Sequence, residues 1–202
     1  MSEMSRREAL GAMAALSFGA AFRPLPDWLD AAAAEHAATV AEEALAAGPP
    51  YTPKFFTPHE WRTVRVLADL VIPRDERSGS ATDAGAPEFM DTILAAYPDQ
   101  QTPMRGGLAW LDAESERRFG TRFVESGGPS QRALLDDLAW PKRARPEMKP
   151  GAAFFSRFRD LVAAGFWSSP MGIADLQYLG NTGMAWDGCP PEALRKLGVS
   201  YG

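Results

Sequence analysis

The chain has 202 residues, a formal net charge of −5 and a single cysteine, Cys189. One cysteine excludes an internal disulfide, and an acidic chain with no basic cluster is a poor nucleic-acid binder. Six Trp and eleven Phe are many for this length, and large aromatics belong in a core or at an interface.

The first segment, residues 1–22, reads MSEMSRREALGAMAALSFGAAF. Arg6 and Arg7 precede an apolar run from Ala9 to Phe22, the charge order of an export leader. That run falls short of the about 20 apolar residues that span a bilayer. The arginine pair matches a twin-arginine address, which a receptor reads and which does not act as an anchor. The competing reading is an amphipathic N-terminal helix with two ordinary arginines. No later segment is apolar enough to cross a membrane. The export reading places the protein in the periplasm.

Residues 23–50 are rich in Ala and Glu, with few large apolar side chains after Leu29. High helix propensity makes this a helix lying on a partner or a tether to the main domain, residues 51–202. Gly48-Pro49-Pro50 stops it.

The domain opens at FFTPHEWRTVRVLADLVIPRD. Thr57 is an N-cap, Pro58 suits the first helical position and Glu60 completes a capping box. Trp61, Val64, Leu67, Ala68 and Val71 follow helical spacing, and Pro73 ends the run. Further helices are expected at Ala86 to Tyr97, Pro103 to Phe119, Ser130 to Trp140, Ala152 to Trp167 and Pro191 to Leu197. No stretch alternates like a strand. The expected fold is all-α: a compact irregular bundle with long loops and a glycine- and aromatic-rich C-terminal wrap.

An exported, folded protein invites a search for a cofactor. There is no G-x-G-x-x-G run between a strand and a helix, no phosphate loop and no Cys-x-x-Cys-His. His36, His59 and Cys189 do not readily make a zinc or iron site. Asp69, Asp75, Asp83, Glu88 and Asp91 cluster around one loop and are candidates for acid–base or Ca²⁺ chemistry. Helix caps and solvated loop charges are the simpler account of them. The sequence therefore shows no self-sufficient active site and no cofactor of its own. From Gly165 to Pro191, Phe166, Trp167, Tyr178 and Trp186 crowd a segment with little regular structure. It either completes the core or lies on a second protein.

The block TPHEWRTVRVLADLVIPRDERSGSATDAGAPEFMD resembles the opening of the gluconate 2-dehydrogenase subunit 3 family, and FWSSPMGIADLQYLGNTGMAWDGCPP resembles its ending. The resemblance implies a non-catalytic small subunit. Its partner would be a large FAD-dependent dehydrogenase of the glucose-methanol-choline type, with a cytochrome c subunit as electron acceptor. It also implies that this chain's leader exports the pair after FAD is bound. On this reading Phe166, Trp167, Tyr178 and Trp186 are interface candidates. Cys189 is a candidate for an intersubunit disulfide, against the alternative of a partly buried thiol. An independent periplasmic hydrolase or a stand-alone helical binding module are the competing functions.

Overall fold

The computed structural model describes residues 26–48, 50–177 and 189–200. Among them are eight α-helices and no strand, the all-α class expected from the sequence.

Helix α1, Ala31–Ala47, starts at Asp30, whose carboxylate accepts from Ala33 N at 2.8 Å. Its buried residues are Ala34, Ala37 and Ala41, a three-and-four spacing that turns one small-residue stripe inward. That stripe packs on α3, Ala86–Ala96. Small side chains bury little area each, so the start of α1 is also fixed by larger groups. Trp28 meets Tyr97 edge-on at 5.5 Å, and the Tyr97 hydroxyl donates to Asp30. The Ala-Glu stretch is thus a helix on its own chain's core.

Helix α2, Pro58–Val71, carries the expected capping box. Thr57 Oγ1 accepts from Glu60 N at 3.3 Å, and Glu60 Oε2 accepts from Thr57 N at 2.8 Å. Val64, Leu67 and Ala68 are fully buried. Helix α4, Pro98–Phe119, begins five residues before its expected start, with Pro103 inside it. The sixth helical position forfeits only one backbone hydrogen bond close to the first turn, so the proline is tolerated there. Helix α5, Gly128–Leu138, and helix α6, Lys149–Trp167, also start earlier than the apolar pattern marks. A short helix α7, Pro170–Asp175, has no sequence-level counterpart; Ser169 caps it through Gly172 N at 3.0 Å. Helix α8, Pro191–Leu197, falls where expected and closes on Gly198 at φ +67°.

Helix α6 runs through the middle. Phe158, Leu161, Val162 and Ala164 have no exposed surface, and Phe166 retains 1 %. It packs on α3, α4 and α5. The α4–α6 crossing is tight because two glycines accept rings: Phe154 lies on Gly107 and Trp110 lies on Gly151.

Charge holds the far end of α4. Glu114 accepts from Arg117 and Arg118 at 2.6 Å each, and Arg118 also reaches Asp137 of α5 at 2.7 Å. The hydrogen bond from Arg117, seconded by Arg118, draws the Glu114 carboxyl from its usual 4.5 down to about 2. A folded value below the unfolded one means the contribution is complete above about pH 4.5 and fades as pH falls through about 2. Urea midpoints between pH 6 and 3 should therefore fall less for Glu114→Gln than for the unsubstituted chain. Parallel decline in both would show that the network contributes nothing on the acid limb.

Candidate functional site

Four of the five loop carboxylates are spent on the chain itself. Asp91 is fully buried on α3. It accepts from Tyr51 Oη at 2.9 Å, Lys54 N at 2.7 Å, Phe55 N at 2.9 Å and Phe56 N at 3.2 Å. Burial, then the nearby Asp91 charge, pushes the Tyr51 phenol up, which keeps it a donor. Asp69 accepts from Thr82 N at 2.9 Å and Thr82 Oγ1 at 2.8 Å. Asp83 takes Ser80 N at 2.7 Å and Arg74 Nη2 at 2.7 Å. Asp75 takes Arg77 N and Ser78 N at 2.8 and 2.9 Å. These are turn and anchor bonds, the simpler of the two accounts above.

Glu88 differs. It is 3 % exposed, Arg65 Nη1 reaches Oε1 at 3.3 Å, and Oε2 is buried with no hydrogen-bond partner. Burial pushes its carboxyl up, so the site favours the protonated form more than an exposed glutamate would. Among the described residues no three His, Cys, Asp or Glu side chains are gathered as metal ligands would be.

His59 is half-buried and paired. Its Nε2 lies 2.5 Å from Asp112 Oδ2, and Asp112 Oδ1 accepts from Phe123 N at 3.1 Å. The pair borders a polar groove of about 360 Å³ with Thr57, Thr63, Arg105 and Arg122. The two hydroxyls on this wall are engaged: Thr57 Oγ1 accepts from Glu60 N, and Thr63 Oγ1 donates to His59 O. The arrangement braces α2 against α4.

The apolar surface is more telling. A groove of about 250 Å³ opens where α1, the entrance of α3, the end of α6 and α7 meet. Ala38, Ala41, Leu45, Ala84, Gly165 and Met171 line it, and Leu45 is 44 % exposed. Trp167 is half-buried at the end of α6, edge-on to Phe166 at 4.9 Å. Phe166 requires a correction: it is 1 % exposed, so its ring fills this chain's core and has no area left to offer a partner. Cys189 is half-buried just before α8. Arg6, Arg7, Tyr178 and Trp186 lie outside the described residues.

The chain does carry a basic cluster, contrary to the reading of its composition. Residues 140–149, WPKRARPEMK, form a basic cluster that overall acidity conceals. Trp140, expected as the last residue of a helix, stands 65 % exposed beyond the end of α5. The run of Lys and Arg was the signal available in the sequence.

The polar clusters brace the fold, and an apolar groove is left open beside α1, α6 and α7. The family model described as gluconate 2-dehydrogenase subunit 3 matches residues 58–188, and the chain belongs to that family, small subunits of a dehydrogenase complex. No curated protein matches the chain. No solved structure matches it either.

Proposed function

We propose that the chain is the non-catalytic small subunit of an FAD-dependent sugar or glycoside dehydrogenase, and that it escorts its catalytic partner through twin-arginine export and stays bound in the periplasm. The family match over residues 58–188 carries the reading. The Arg6-Arg7 leader supports the export half, since that route moves folded proteins and FAD must be bound first. The FAD sits in the large subunit, and a cytochrome c subunit accepts its electrons. The catalytic carboxylates and bases belong to the partner as well; here four of the five loop carboxylates are tied to backbone N–H groups.

The interface is of obligate size, above about 2,000 Å², and rich in aromatics. Trp167, Tyr178 and Trp186 are its anchors, with the groove beside Leu45 as a further apolar contact. Pull-down of the tagged full chain from its native periplasm, followed by an absorbance spectrum, tests this. The expected result is a yellow complex with a much larger flavoprotein. A colourless chain recovered alone would reject the obligate-subunit reading. Alanine at Trp167, Tyr178 or Trp186 should cut co-purification severalfold, a hot-spot effect of about 1–2 kcal/mol each. Undiminished recovery with all three would dismiss the anchors while leaving the complex intact. Cys189 is proposed to cross-link to a partner cysteine. A non-reducing gel should then show the small band only after reductant is added; a lone small band without reductant rejects the bond.

A further inference from the structure

The connection between α5 and α6 carries a surface that the subunit reading does not use. Trp140 is 65 % exposed, more than any other large apolar side chain of the described residues except Leu197. Around it Lys142, Arg143, Arg145 and Lys149 are all exposed, interleaved with Pro141, Pro146 and Pro150. The tip has a fixed shape. Arg143 N donates to Trp140 O at 2.8 Å, and buried Met148 pins the far side, where Arg118 Nη2 meets its sulfur at 3.2 Å. Arg145 is answered by Asp137 at 3.6 Å and Glu147 at 3.4 Å. Lys142, Arg143 and Lys149 have no ion pair among the described residues.

The asymmetry is larger than the tip. Residues 114–160 hold ten of the 21 lysines and arginines and seven of the 26 acids, a net of +3 that leaves −8 for the remainder. These residues are the end of α4, α5, the tip and the first part of α6, which pack on one another. The part of the bundle around the tip is therefore net basic, while the remainder of the sequence is net acidic. Such a molecule is oriented by any extended negative surface, tip first.

We propose that the Trp140 tip is a peripheral contact for an anionic lipid surface. The tip is a knob, and a flat, deformable headgroup layer accepts a knob without a matching pocket. A protein hot spot would sit within a rim of apolar contacts that exclude water; the rim here is cations and prolines. An indole settles at headgroup depth with its N–H still hydrated, and the ammonium and guanidinium groups reach the lipid phosphates. No helix of the described residues is long and apolar enough to cross a membrane, so the contact is superficial. Each unpaired cation favours anionic over neutral lipid about fivefold, and three of them about a hundredfold. That strength orients a protein on a membrane and needs a second attachment to anchor it. The proposal stands whether or not the chain serves a dehydrogenase.

Flotation of the purified full chain with vesicles tests it, using neutral phosphatidylcholine against seven parts of it mixed with three of phosphatidylglycerol. Binding is expected to the mixed vesicles at low salt and to fall steeply at 0.5 M salt. The triple change Lys142→Glu, Arg143→Glu, Lys149→Glu should lower it about a hundredfold or more, and Trp140→Ala several-fold. All four positions are exposed, so unchanged thermal unfolding checks that the variants fold. A second triple change, Arg62→Glu, Arg195→Glu, Lys196→Glu, alters net charge equally on other elements and should cost little. The leader is common to every variant, so differences among them report the tip. No binding, equal binding to both vesicle types, or equal loss in the two triple variants would overturn the proposal. So would lipid binding unaffected by the tip changes while recovery of a partner protein is lost, the mark of an acidic protein surface as the occupant.

Discussion

Asp91→Ala should lower the free energy of unfolding by about 4 kcal/mol, the cost of stranding buried donors around a lost charge. Four donors converge on that one carboxylate: the Tyr51 hydroxyl and the N–H groups of Lys54, Phe55 and Phe56. Three of them are backbone groups on the segment that leads into α2, where no regular ladder can satisfy them. Phe55 and Phe56 are 7 % and 4 % exposed, so water cannot take the place of the carboxylate unless the segment lifts off α3. Lifting it would also expose both rings and loosen the Thr57 cap. Arg105 Nη2, which donates to Phe55 O at 2.7 Å, would be left as the main polar tie. Asp91→Asn keeps the shape and one good acceptor but turns an amide N–H₂ toward other donors; about 2 kcal/mol of loss is expected. Urea unfolding followed by far-UV circular dichroism measures both. A loss below 1 kcal/mol for Asp91→Ala would mean that the segment is held by its rings alone.

Asp91 also shows what the sequence could and could not disclose. The five loop carboxylates are visible as a cluster, and their number invites a catalytic or metal reading. Whether a carboxylate faces a substrate or a row of backbone N–H groups depends on the path of residues 51–56, which no local pattern records. Features that act over one or two turns were legible. The Thr57–Glu60 capping box, the buried stripe of α2 and the Gly198 stop on α8 all stand where their residues place them. Features decided by long-range packing were not. Ala34, Ala37 and Ala41 look like a featureless tether until α3 lies against them. Phe166 and Trp167 are adjacent aromatics with equal claims to an interface, and only the position of α6 sends one fully inward and leaves the other half-buried. The basic tip was legible in principle. The net charge of −5 hid it, because a sum over the chain cannot register that +3 and −8 belong to different parts of the sequence.

The paired glycines Gly106 and Gly107 should respond to alanine with opposite signs. A Cβ on Gly106 meets nothing within 4 Å. Replacing a helix-interior glycine there removes backbone entropy from the unfolded chain and should stabilise by about 0.5–1 kcal/mol. A Cβ on Gly107 would stand 1.8 Å from Phe154 Cδ2 and 2.2 Å from Cγ. No rotamer of alanine relieves that, and the ring cannot swing freely: Phe154 is 6 % exposed and packs on Phe158 at 5.8 Å. Either α4 moves off α6 or Phe154 leaves its place, and overpacking of this kind costs about 1–3 kcal/mol. The same propensity gain of about 1 kcal/mol works against the clash. A net loss of about 1 kcal/mol is expected, and more for Gly107→Val, which adds two methyls and a poorer helix former. Moving α4 would also disturb the reciprocal contact, where a Cβ on Gly151 would fall 2.1 Å from the Trp110 ring. A double-mutant cycle separates the causes. In a Phe154→Ala background the penalty of Gly107→Ala should vanish and the propensity gain emerge, giving a coupling of about 2 kcal/mol. If Gly107→Ala remains destabilising without the ring, the glycine is needed for backbone contact between α4 and α6, and the ring merely occupies the space it leaves.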